Sequence, residues 1–344
     1  MWRQPPRRLK VACLGLVLFA ASASAFAHTV STTDTATGRS PEALSAFMVD
    51  GRFEPGSFEW LRWKFSDDPQ EQAKWKQVMQ WVGTKAELRK KEVTASLAAL
   101  GYPQAKVPAQ CLEDNTCRWV MLGGWLTSLP SWEAAKKAIA EAGPFAQGYV
   151  MAVAAMERHA REDTGSASLS KELLTRMRVE QTFRAAAADT EATPRISAEG
   201  KLAWRMFIWR EIMQRDTENT QWLKEMVARN GWPRRSVVGA DAAHAAWLIA
   251  QHADRDPAFQ LAALQLMEPL VARSEVTPKD YAFLYDRVFG ELRGRQLYGT
   301  QMICTGGRYE PQPIEDVAGV DRRRVSVGLP RLGVQLAKYT GRTC

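Results

Sequence analysis

Residues 197–233, SAEGKLAWRMFIWREIMQRDTENTQWLKEMVARNGWP, decide the fold class, because they read as one long helix whose stop is written in the last four letters. In Asn230-Gly231-Trp232-Pro233 the glycine can take the left-handed position, the tryptophan can pack back on the last turn, and the proline forbids continuation. The same grammar recurs on both sides. Upstream, residues 169–188 read as a helix. Downstream, shorter helices are expected near 241–252, 257–273 and 278–292, the last two opened by Asp256-Pro257 and Thr277-Pro278, a capping side chain followed by proline at the first helical position.

The pattern then changes. Gln296-Leu-Tyr-Gly-Thr-Gln-Met-Ile-Cys304 and Arg308-Tyr-Glu-Pro-Gln-Pro-Ile314 flank Gly306-Gly307 and predict a short β-hairpin. Pro311 and Pro313 confine its return arm to an edge. Short helices near 321–327 and 332–339 follow. Towards the N-terminus, Asp68-Pro69 caps a helix whose Trp75, Val78, Met79 and Val82 share one face. Another helix from Ser131 is expected to stop at Ala142-Gly143-Pro144 and to be followed by one through Tyr149, Val153 and Met156. Such an αα-hairpin is the unit of tetratricopeptide-like solenoids, but no exact repeat is found, so a solenoid and a small irregular helical domain both stay open. The reading is a mainly α protein. A helical N-terminal domain (41–160) and a C-terminal helical domain with a β-hairpin (171–344) are divided at the polar connector REDTGSASLS, residues 161–170.

Residues 1–27 carry Arg3, Arg7, Arg8 and Lys10 without an acid, then the apolar run Val11 to Phe19 and a small-residue stretch ending Ala25-Phe26-Ala27, the order of a secretory signal. Cleavage after Ala27 is expected, leaving a polar tail (28–40), no stable membrane anchor and a periplasmic or secreted protein. Four of the excess positive charges behind the formal +8 lie in this signal, and the remaining basic residues are interleaved with acids, so no stripe for nucleic acid forms. Cys111, Cys117, Cys304 and Cys344 remain, an even number suited to an oxidising space. Proximity favours Cys111 with Cys117, which leaves Cys304 for Cys344. No metal-ligand spacing accompanies them.

The series Gly231-Trp-Pro233, Gln251-His-Ala-Asp254, Asp286-Arg-Val288, Gln296-Leu-Tyr-Gly-Thr-Gln301, Ile314-Glu-Asp316 and Arg323-Arg-Val-Ser-Val-Gly-Leu329 resembles a family of bacterial proteins known as a domain of unknown function. The likeness covers the C-terminal half and implies a domain there without implying an activity.

Read as chemistry, these motifs supply one imidazole, carboxylates, guanidiniums, amides and a phenol near the ends of segments, where sites tend to lie. His252 is the expected acid/base group, since imidazoles titrate near neutrality, with Asp254 or Asp286 to orient it. Asp286, Arg287 and Tyr298 complete the catalytic expectation. Gln251, Asp254, Gln296, Gln301, Asp316 and Arg323 are the expected ligand contacts, the arginines gripping an anionic group. Gln296 and Tyr298 are expected to share one face of a strand. The plainer alternative makes His252 a helix-closing residue and Asp286-Arg287 an ion pair. His244 and His252 are roughly 12 Å apart along a helix, too far for two ligands of one zinc, and no metal or other cofactor is expected. The first reading is a hydrolase or transferase for a small anionic or peptide-like ligand. The second is a binding module whose Trp-rich first half (Trp60, Trp63, Trp75, Trp81, Trp119, Trp125, Trp132) grips a peptide or cell-wall glycan.

Overall fold

The computed structural model describes residues 40–50, 52–53, 58–162, 168–188 and 195–342. The expected signal, the tail up to residue 39, the middle of the 161–170 connector and Cys344 lie outside them, and with Cys344 goes the pairing expected for Cys304. Residues 40–344 cluster as one unit, which is mainly α. Its helices are α1 (Arg62–Phe65), α2 (Pro69–Ala99), α3 (Asn115–Gly123), α4 (Trp132–Glu162), α5 (Leu169–Ala188), α6 (Ala198–Asn230), α7 (Arg235–Val238), α8 (Ala240–Gln251), α9 (Pro257–Val271), α10 (Pro278–Arg293), α11 (Val320–Ser326) and α12 (Leu332–Ala337). A two-residue pair, β1 (Met48–Val49) with β2 (Arg52–Phe53), precedes them, and β3 (Met302–Thr305) pairs antiparallel with β4 (Arg308–Pro311) before α11.

The expected caps form. The side chains of Asp68, Asp256 and Thr277 each accept a backbone N–H from the first turn of the helix they open, and Ser197, which was not expected as a cap, does the same for α6. Gly306 and Gly307 both take positive φ (57° and 79°), which a tight turn joining β3 to β4 requires. Two expectations are corrected. The helix begun at Trp132 runs on through Pro144 to Glu162, so the αα-hairpin with a Gly-Pro turn does not form there. An interior proline costs about 3 kcal/mol. Against that cost, Ala135, Ala138, Ala142, Ala146 and Val153 bury a continuous face, and α4 packs along α6. The strand of the hairpin begins only at Met302. Gln296 makes an isolated bridge to Ile314, and residues 297–300 leave the extended path to curl around Asp286.

Apolar residues gather in two clusters. One joins residues 44–153 to Val179, Phe183 and the first half of α6. The other joins Val93 and Leu97 of α2 to Leu173, the end of α6 and α8–α10. Both therefore draw on residues before and after the 161–170 connector. Among the seven tryptophans of the first half, Trp60, Trp63, Trp81 and Trp119 are buried, and Trp75, Trp125 and Trp132 are partly buried against the same cluster. They build core rather than an exposed stacking surface. Cys111 and Cys117 are disulfide-bonded, with Cα atoms 5.8 Å apart, and Asp114 within their loop caps α3 by accepting from Cys117 N–H.

Candidate active site

His252 closes α8, its backbone N–H donating to the Leu248 and Ile249 carbonyls. Its ring turns inward, with 15 % of the side chain exposed, and Nδ1 meets Oε1 of Glu180 on α5. Glu180 is fully buried. It arrives there because α5 packs against both α6 and α8, and because it stands two turns after Leu173 on the same inward stripe. Arg184, one turn further, donates from Nε to Glu180 Oε1 (3.0 Å) and from Nη2 to Asp216 Oδ1 on α6 (2.7 Å). One guanidinium thus bridges carboxylates from two helices. Asn219 Nδ2 lies 3.5 Å from Glu180 Oε2. Arg255 donates to the Met213 carbonyl (2.6 Å) and Thr217 Oγ1 (3.2 Å), and its Nη2 stands 3.9 Å from Asp216 Oδ2.

The two carboxylates differ electrically. Burial alone would raise the Glu180 carboxyl, but the hydrogen bond and charge of His252, with Arg184, overcome it and hold it below the ordinary value. Burial dominates at Asp216, whose carboxyl is pushed up to about 6 against the pull of Arg184 and Arg255, with the Glu180 charge adding to the rise. Near neutrality the site therefore holds one firmly ionised carboxylate and one close to titration. Glu180 fixes His252 through Nδ1, which leaves Nε2 as the nitrogen able to take or give a proton, the arrangement of an imidazole oriented by a buried carboxylate.

Glu180, Asp216 and His252 also offer donor atoms all within 4.8 Å of one another, a set that suits a divalent ion in type. Charge opposes its simple addition. Two guanidiniums already balance the two carboxylates, and Arg184 holds the bridging position, so an incoming ion would have to displace it.

The other expected residues go elsewhere. Asp286 is fully buried, and its carboxylate accepts from Leu297 N–H (2.7 Å), Tyr298 N–H (2.9 Å), Thr300 N–H (2.9 Å) and Thr300 Oγ1 (2.9 Å). Gln296, also fully buried, donates to the Gln301 and Gln312 carbonyls and accepts Gln301 N–H. The Gln301 side chain is held by Thr300 Oγ1 and the Phe283 carbonyl. Arg323 ties the Leu297 carbonyl to Asp316, and buried Arg324 reaches the carbonyls of Tyr298, Gly299 and Pro330. At Gly299 φ is +68°, and a Cβ would lie 2.9 Å from Ile314 Cδ1 and 3.0 Å from Leu332 Cδ1, so the close approach is to the chain's own side chains. The Tyr298 ring stands edge-on to Tyr285. Asp254 pairs with Arg287 (3.4 Å) and accepts from Gln260. Gln251 is buried, and its Oε1 has no hydrogen-bond partner among the described residues.

Asp286, Gln296, Tyr298, Gln301, Asp316 and Arg323 are thus brought together as one network around the hairpin. No hydrogen bond or ion pair among the described residues joins it to His252. The carboxylate that orients His252 is Glu180, in place of the expected Asp254 or Asp286.

The model of a Family of unknown function (DUF6624) matches residues 168–339, half of the chain. The chain belongs to that family. The family segment contains every residue of the His252 cluster and of the hairpin network, and the first half of the chain lies outside it. No curated protein and no solved structure matches the chain.

Glu180, Arg184, Asp216, Asn219 and Arg255 were not among the residues expected from the motifs. Their signal is a polar interruption of an apolar stripe. On α6 the inward residues run Ile208, Ile212, Asp216, Asn219, Leu223, Met226, and on α5 Leu173 is followed seven residues later by Glu180. A charge at an inward position of a helix needs a partner, and here the partners are one another.

Proposed function

We propose that this chain is an exported acid–base enzyme, a hydrolase or transferase acting on a small anionic or peptide-like ligand, with His252 as the proton-transferring group. The observation that carries this reading is the contact of His252 Nδ1 with the buried Glu180, itself held by Arg184. A histidine that only closed a helix would need no buried carboxylate from another helix. Asp216 is the neighbouring group able to exchange a proton near neutrality, and Arg184 and Arg255 supply positive charge beside it. Export is supported by the charge, apolar core and A-x-A order of residues 1–27 and by the Cys111–Cys117 disulfide. Among the described residues no helix is long and apolar enough to cross a membrane.

The test is a thermal-shift screen of the oxidised protein and of His252→Gln against amino acids, short peptides, sugars and phosphorylated metabolites, since a ligand of the folded state raises the melting temperature. Hits are then assayed for turnover. The reading expects a compound converted by the wild type and at least about a hundredfold more slowly by His252→Gln. Equal turnover in both proteins would overturn the role of His252. N-terminal sequencing of the periplasmic fraction tests export, with His28 expected as the first residue.

A further inference from the structure

The end of α4, the first half of α5 and the middle of α6 border an open groove of about 500 Å³, within the ~300–1,000 Å³ range of small-molecule sites. Its walls carry Lys171, Arg176 and Arg215 together with Glu157, Glu172 and Glu218. Arg215 pairs with Glu157 (3.0 Å) and Glu218 (3.6 Å), and Arg176 with Glu172 (2.7 Å). Asn219 belongs both to this groove and to the His252 cluster. Its Oδ1 accepts from Arg176 Nη1 (3.1 Å), and its Nδ2 faces Glu180 Oε2 (3.5 Å).

The balance of charge selects the ligand. A simple anion would meet three basic side chains but also three glutamates, and a simple cation would meet the reverse. A molecule bearing both a carboxylate and an ammonium can meet both signs at once, its carboxylate taking an arginine and its ammonium a glutamate. We infer that the groove binds a short peptide with free termini, its carboxylate on Arg176 beside Asn219 and its ammonium on the Glu157 and Glu218 rim. This names the ligand class of the proposed function and rests on His252–Glu180 being the reacting centre. Seated so, the carboxylate end of the peptide lies next to the side chain that contacts Glu180.

Isothermal titration of the oxidised full chain with trialanine tests this, with N-acetyl-trialanine, trialanine amide and succinate as comparisons. Trialanine is expected to bind, each blocked peptide about tenfold or more weakly, and succinate no better than the blocked peptides. Arg176→Ala and Glu218→Gln, both partly exposed, are each expected to weaken trialanine about tenfold, measured at a temperature where each variant is folded. Absence of trialanine binding at millimolar concentration, or equal binding of succinate, overturns the inference, and that outcome can be read on the wild type alone. If trialanine binds wild type and His252→Gln alike and neither turns over any peptide, the groove stands and the acid–base reading falls. If trialanine fails while another compound is converted only when His252 is present, the groove assignment falls alone.

Discussion

Two buried carboxylates of the family segment, Asp286 and Glu180, are satisfied in opposite ways. Asp286 receives three backbone N–H groups and one hydroxyl, all from residues 297–300, and each donor is fixed by the chain path. Glu180 receives an imidazole, a guanidinium and two amides, from Gln181 beside it and from Asn219, all of them side chains. The first set cannot change protonation, so that carboxylate shapes a loop. The second contains groups that can, and it holds Asp216 near titration beside them. Residue type does not distinguish the two carboxylates; the identity of their partners does.

The sharpest way to break the comparison is Asp286→Ala. It strands three buried N–H groups and should cost about 4 kcal/mol, lowering the melting temperature by roughly 10 °C and opening residues 296–314 to limited proteolysis. A loss within a degree or two would mean that the hairpin network holds the loop without its carboxylate, and the scaffold assignment would fail. Asp216→Asn probes the other side through pH. Because the folded carboxyl is raised to about 6, the native protein keeps a proton between about pH 4 and 6 that the unfolded chain has already lost. The stability this group contributes is complete below about pH 4 and is lost as pH rises through about 6, on the order of 3 kcal/mol at most. The melting temperature of the wild type should therefore fall relative to Asp216→Asn across that window. A difference independent of pH would remove Asp216 as the titrating neighbour of His252.

Most of the architecture was legible because it is written locally. Caps such as Asp256-Pro257 and Thr277-Pro278, and the Gly306-Gly307 turn, act over a few residues, and the elements they predict stand where expected. The continuous helix through Pro144 was hidden because its compensation is tertiary, the alanine face laid along α6. The site was half legible for the same reason. His252 was visible as an imidazole at a helix end, but its partner is seventy-two residues away in sequence, and only packing of α5 on α8 brings it near. Residues close in sequence to the hairpin looked like a pocket and proved to be one another's hydrogen-bond partners. The motif-rich stretch forms the hairpin network, whereas the cluster with titratable partners is marked by polar breaks in apolar stripes.

A third region extends the comparison outside the family segment. The Cys111–Cys117 loop carries Glu113, which pairs with Arg89 (3.1 Å), and Arg89 donates to the Arg255 carbonyl (3.3 Å). Closing so short a loop limits the entropic gain to ~2 kcal/mol. The double change Cys111→Ser with Cys117→Ser should lower the melting temperature by roughly 5 °C. If the site depends on Arg255 being held from this side, turnover falls as well; a purely structural disulfide would leave kcat unchanged at temperatures where the variant is folded.

The smallest expected effect is the most discriminating control, because His244 repeats the imidazole–carboxylate pair with its imidazole half exposed. Its Nδ1 lies 3.1 Å from Asp280 Oδ1, its ring packs on Trp247, and about half of its side chain is exposed. The hydrogen bond to Asp280 raises its pKa, against burial. A raised histidine stabilises the fold fully below its unfolded pKa and loses that contribution as pH rises through the folded value. With the imidazole half exposed and screened by solvent, the contribution stays under about 1 kcal/mol. His244→Gln should therefore lower the melting temperature slightly in acid, not at all at pH 9, and should leave ligand binding and turnover unchanged. If it abolished turnover as His252→Gln is expected to, burial beside Glu180 would not be what distinguishes the reacting histidine, and the contrast between the two carboxylate environments would lose its functional meaning.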